Sequence, residues 1–369
     1  MVTLLQRVLG KNSRRNTDGH RTTLLRDNLG LKVEAARDTM ENMASPNSHV
    51  SASDLERLLG EVKRLATGTT AGLFGPESVS WKINREAALF LAAGRATLLQ
   101  LAHPWVAAAI AEHSRTLHDP IGRFHQTFRV MFTMSFGSVE QAIATARHLH
   151  ARHQSIYGMM PETAGAFAAG SRYEANQVHA LLWVYATLID SAVMAYDLVL
   201  PALTSAEREQ YYAESRSAAA FFGITPDVWP RNWQQFERYM ESMYFSDTLA
   251  VRPAARHLAC QVLSGAGSWL RIPAWYRALT AHLLRPRLRE EFGLVYGGPE
   301  QRSAERALGW IRRIHRHLPE SVRFVGPYRE AVAKLSGRSR PGLSVRLSNR
   351  LWIGESSLFS RSEKSENSV

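Results

Sequence analysis

Seven of the 14 histidines fall between residues 103 and 153: His103, His113, His118, His125, His148, His150 and His153. Imidazole binds metals and moves protons near neutral pH, so such a cluster is the first place to look for chemistry. Bare-metal oxidation sites surround iron with carboxylates as well as histidines. No Glu-x-x-His and no His-x-Asp/Glu stands in this region. A haem iron needs one neutral axial imidazole, because the porphyrin supplies the other four nitrogens and two negative charges. A histidine-rich, carboxylate-poor stretch therefore suits haem better than a bare ion. Within it, Arg123 and Thr127 stand four apart and share a helical face. They could serve as an anion contact and a hydroxyl beside bound substrate. Spacing alone favours an ordinary half-exposed helix.

The elements that must hold these residues are helices. From Arg85 to Ala111 apolar residues are dense, and His103-Pro104 interrupts them, which predicts a kink or a junction. Helical periodicity predicts further helices over 122–134, 139–154, 177–200, 205–222, 230–243, 274–284, 303–317 and 327–335. An earlier amphipathic helix runs from Ser53 through Leu55, Leu58, Leu59, Val62 and Leu65, with Ser51 or Ser53 as its cap. Strand-like alternation is scarce. The expected fold class is all-α: one large helical domain at 72–335, a partly helical N-terminal extension at 1–71 and a basic, poorly ordered tail at 336–369.

Composition limits the function. A hydrophobic fraction of 45% with 21% charged residues is that of a globular chain. The net charge of +12 raises nucleic acid as a partner, but the basic residues concentrate near the ends, at Arg7 to Arg26 and Arg338 to Lys364. Solvated tails explain that better than a binding groove. A basic helical nucleic-acid-binding or regulatory protein stays as the alternative, and the tails also allow peripheral contact with an anionic membrane. The apolar stretch 180–200 carries Asp190 and Asp197, which suits a buried helix better than a membrane span. One cysteine, Cys260, excludes an intrachain disulfide and a thiolate cage; it reads as a buried core thiol in a cytoplasmic, reducing setting.

An ordered series of motifs then narrows the class. Trp81-Lys-Ile-Asn-Arg-Glu86, Leu98-Leu-Gln-Leu-Ala-His-Pro-Trp-Val-Ala-Ala108, Glu112-His-Ser114 and Asp119-Pro-Ile-Gly-Arg-Phe-His-Gln-Thr127 come first. Phe136-Gly-Ser138, His150-Ala-Arg152 with Gly158, Tyr173-Glu-Ala175 and Leu182-Trp-Val-Tyr-Ala186 follow, and Arg289-Glu-Glu-Phe-Gly293, Leu318-Pro319 and Tyr328 close the series. This series resembles the catalytic domain of the mycophenolate-pathway oxygenase and rubber-oxygenase (latex-clearing) family, over roughly 72–335. The resemblance implies a globin-like helical core binding haem b through one histidine, and oxidation of an apolar small molecule by dioxygen, through oxidative cleavage or hydroxylation. Carried over by position, His150 is the implied haem and iron ligand, with His153 as the alternative, and Arg123 and Thr127 are the implied catalytic pair. His103 is a family signature with a structural or distal role. Gln126 stands where the rubber-cleaving members carry a lysine, so polyisoprene cleavage is not transferred. The aromatics Trp183, Tyr185, Trp229, Trp233 and Tyr239 read as core rather than site.

Overall fold

The computed structural model describes residues 49–66, 70–114, 119–265, 271–338 and 340–359. The chain is all-helical around a small hairpin, in the order α1 Ala52–Leu65, α2 Val79–Asn84, a 3-10 turn Ala87–Ala92, α3 Ala93–Leu101, α4 Pro104–His113, α5 Pro120–Phe136 and α6 Val139–Gln154. Strands β1 Tyr157–Met159 and β2 Arg172–Glu174 pair antiparallel. Then come α7 Val178–Val199, α8 Ser205–Ala218, 3-10 turns Ala219–Phe222 and Pro226–Val228, α9 Trp233–Phe245 and α10 Pro253–Ser264. The chain continues through α11 Ala274–Leu283, α12 Pro286–Glu291, α13 Gly298–His315, α14 Glu320–Arg323, α15 Gly326–Leu335 and α16 Leu343–Ile353.

Local chemistry explains the two helices that matter most. Asp119 caps α5 by accepting the Gly122 N–H at 2.8 Å, and Pro120 occupies the first turn, where its missing N–H costs nothing. Gly137 ends α5, because a Cβ there would lie 2.5 Å from the Thr133 carbonyl. One residue later, a capping box between Ser138 and Gln141 starts α6. This short joint sets α5 against α6. The expected break at 103–104 is a helix junction: His103 is the N-cap of α4 and Pro104 its first residue.

Helix α7 is long and apolar enough to cross a membrane, and it is the one such helix among the described residues. It is a core element here, with thirteen of its 22 residues buried, and Asp190 pairs with Arg95 at 2.6 Å. Arg95, 3% exposed, also donates to Ser191 Oγ, to the Tyr244 hydroxyl and to the Leu283 carbonyl. One guanidinium thus ties α3 to α7, to α9 and to the end of α11.

Three expectations need correction. Cys260 is exposed, since α10 buries Ala255, Leu258, Ala259 and Leu263 on the opposite side. Helix α13 starts at Gly298, earlier than the apolar period indicated, because Pro299 stands at a helix start where it is tolerated. Within the stretch expected to be a poorly ordered tail, α16 is a helix whose Val345, Asn349 and Ile353 recur every four residues and are buried. Ile353, Leu358 and Phe359 join Trp81, Phe132, Phe136 and Val325 in one core cluster.

Candidate functional site

Helix α5 has two unlike halves. Its buried residues, Phe132, Thr133, Met134 and Phe136, all lie in the last five positions. From Pro120 to Met131 nothing is buried, although this half carries Arg123 and Thr127. Helix α4 has a similar deficit: of its ten residues, mostly apolar, only Pro104 and Ala107 are buried.

Arg123 is half-buried and, among the described residues, has no carboxylate partner. Burial pushes its guanidinium pKa down, and the positive charge of Arg152 adds to that. Two guanidiniums without an acid between them attract an anion such as a carboxylate. The Thr127 hydroxyl donates to the Arg123 carbonyl at 2.9 Å, so its free lone pair can only accept. The structure therefore keeps the pair on one face but does not join the two side chains.

The two candidate histidines differ in what their rings face. His150 is buried and its Nε2 lies 2.9 Å from the Val50 carbonyl, an interaction that clasps α6 to the segment entering α1. The Asn176 side-chain amide caps the His150 carbonyl at 3.1 Å. His153, one turn on, lines a cavity of about 390 Å³ with His49, Tyr157, Arg172, Glu174 and Asn176. Burial pushes its pKa down to about 4, and nearby Arg123 pushes the same way against a hydrogen bond with Asn176. Burial therefore holds His153 neutral at pH 7, beside Asn176. Arg152 and Asn176 were not among the residues singled out from sequence. Arg152 lies in the His150-Ala-Arg152 motif, whereas Asn176, 23 residues from His153, carries no local signal.

His103 is 2% exposed and packs its ring 5.1 Å from Phe167. Burial, with His179 nearby, drives its pKa down to about 3, and its Nδ1 has no hydrogen-bond partner among the described residues. It is a packed junction residue. Elsewhere, a cavity of about 160 Å³ lies between the 3-10 turn 87–92, α5, α7 and the 3-10 turn 219–222. Phe90, Phe128, Phe132, Phe221 and Phe222 dominate its wall, Tyr185 lines it as well, and no histidine does. No three His, Cys, Asp or Glu side chains converge into a metal-holding group among the described residues.

A family model described as ER-bound oxygenase mpaB/B'/Rubber oxygenase, catalytic domain, matches residues 81–317, well over half of the chain. The chain belongs to this family. Its class of activity is accordingly that of an oxygenase, an oxidoreductase acting on a small molecule with dioxygen. No curated protein and no solved structure matches it. As a member of the mpaB/rubber oxygenase family, it carries Arg123, Thr127, His150 and His153 within the matched stretch, and its buried α7 as well.

Proposed function

We propose that this oxygenase depends on haem b, held by His153 and anchored through its carboxylates by Arg123 and Arg152. The observation that carries the proposal is the ring of His153. It is held neutral by burial and borders a cavity that Asn176 also lines, as an imidazole that binds iron would need. His150, implied by sequence resemblance, spends Nε2 on Val50 and suits a supporting role. Arg123 and Arg152 lie near His153, outside the residues lining its cavity and without a carboxylate partner among the described residues, and would suit haem's two negative propionates. When bound, haem would supply the iron that activates dioxygen.

The chain's own groups do the rest. Asn176 holds the helix end carrying both histidines through the His150 carbonyl, and lies beside the His153 ring. Thr127 offers an acceptor beside Arg123, available to a hydroxyl of substrate or to water. The oxidised molecule is apolar, by cleavage or hydroxylation. Exposed Cys260, the single thiol, suits a reducing, cytoplasmic setting.

Absorption spectra of protein reconstituted with haem test this, for wild type, His150→Ala and His153→Ala. The expected result is a Soret band in wild type that His153→Ala loses and His150→Ala keeps. A band lost only in His150→Ala returns the ligand to that residue. A colourless wild type overturns the proposal.

A further inference from the structure

The aromatic cavity between α5 and α7 lies apart from His153, and its lining defines what it can take. Its volume, about 160 Å³, is close to that of an internal cavity of about 150 Å³ that stays dry and binds benzene. No Lys, Arg, His, Asp or Glu lines it. A cavity without a histidine is not the seat of a histidine-held group, so it is a compartment apart from His153.

Seven of its 23 lining residues carry a polar side chain, and all seven are neutral. Ser80 and Asn84 stand four apart on α2 and share a face, and Ser135 comes from the last turn of α5. None of these three side chains has a hydrogen-bond partner among the described residues. Ser80 is only 7% exposed, so its free hydroxyl faces the cavity and not bulk water. A buried hydroxyl without a partner is costly, and a ligand oxygen beside Ser80 removes the cost, with the half-buried Asn84 and Ser135 nearby on the cavity wall. An anionic oxygen does not suit the place. The Glu214 carboxyl already accepts the Ser80 backbone N–H at 2.7 Å, and the Arg95 side chain that reaches Ser191 on the cavity wall is paired with Asp190.

We infer that this cavity binds an apolar chain or ring that ends in one neutral hydrogen-bonding group, a hydroxyl or a carbonyl, and rejects the corresponding carboxylate. Ser80, Asn84 and Ser135 receive the polar end, and the phenylalanines receive the apolar body. The ligand's service as substrate of the oxygenase rests on the proposed function; its binding does not.

Calorimetric titration of the full chain with 1-octanol, octanoate and benzene tests the inference. Octanol should bind at one site, and octanoate at least tenfold more weakly, because its charge would be buried unpaired. Asn84→Leu should weaken octanol roughly three- to tenfold, the effect of one neutral hydrogen bond, while leaving benzene unchanged. Ala192→Leu, which adds bulk to the wall, should weaken both octanol and benzene. If Asn84→Leu does not fold, Ser135→Ala carries the same comparison. Equal binding of octanol and octanoate, octanol binding untouched by the polar-end substitutions, or no binding of octanol or benzene, each overturns the inference. A haem-free wild type that still discriminates octanol from octanoate leaves the inference standing and breaks only the haem proposal.

Discussion

Arg95 and Arg123 are both arginines drawn in from water, and they have opposite surroundings. Around Arg95, burial opposes the charge, but Asp190 and Tyr244 more than offset it and the pKa is raised. Around Arg123, burial is reinforced by Arg152 and the pKa is lowered. The first guanidinium is satisfied by the fold that contains it, through an ion pair and hydrogen bonds from three other helices. The second is half-buried and has no carboxylate partner among the described residues, and in the proposed function an anion from outside would meet it. Stability and function are thus separable here, and substitutions can separate them.

The largest effect is expected at Arg95. Arg95→Leu strands Asp190 and should cost about 3–5 kcal/mol of unfolding free energy, measured by chemical denaturation. A cost below about 1 kcal/mol would break the contrast from its structural side.

The next test uses pH. The folded state holds His103 neutral, with a pKa of about 3 against an ordinary value of 6.5. The folded state therefore binds fewer protons than the unfolded state below pH 6.5. Its contribution is fully present above that value and is lost as pH falls from 6.5 towards 3. Wild type should lose about 3 kcal/mol more than His103→Phe between pH 6.5 and 4, at roughly 1.4 kcal/mol per pH unit. Parallel denaturation curves for the two proteins would show that the junction histidine is not held neutral.

Arg123→Gln should change the stability of the haem-free chain by less than about 1 kcal/mol, because repulsion from Arg152 disappears along with the charge. The same substitution should weaken haem retention in a transfer assay to apomyoglobin. Unaltered retention would remove Arg123 from the anion site. The smallest change is expected for Thr127→Val, within about 0.5 kcal/mol in stability, since Thr127 is exposed and bonds only to its own helix. Its effect should appear in turnover instead.

Much of this contrast was legible in the sequence, though not all. Periodicity marked the helices, and local spacing placed Arg123 with Thr127 on one face, because both signals repeat within one turn. Choosing between His150 and His153 was beyond such signals. The two lie on one helix three residues apart, and what differs between them is the Val50 carbonyl, a hundred residues away, that faces the His150 ring. Likewise Asp190 was legible as unsuited to a membrane, but its partner Arg95 lies on another helix. Exposure of Cys260 was missed because the surrounding Leu-Ala-Cys-Gln-Val run is apolar, while only one side of α10 faces the core.

Helix α16 carries a lesson for anyone cutting this chain. It lies beyond residue 317, where the family match ends, yet Trp352 stacks on Phe90 at 4.1 Å, and Ile353 accepts a bond from Arg129. The border of shared ancestry and the border of the cooperative folding unit do not coincide. A fragment trimmed to the matched residues would leave Trp81, Phe132 and Phe136 facing solvent, and would be the wrong piece to crystallise, to graft or to evolve.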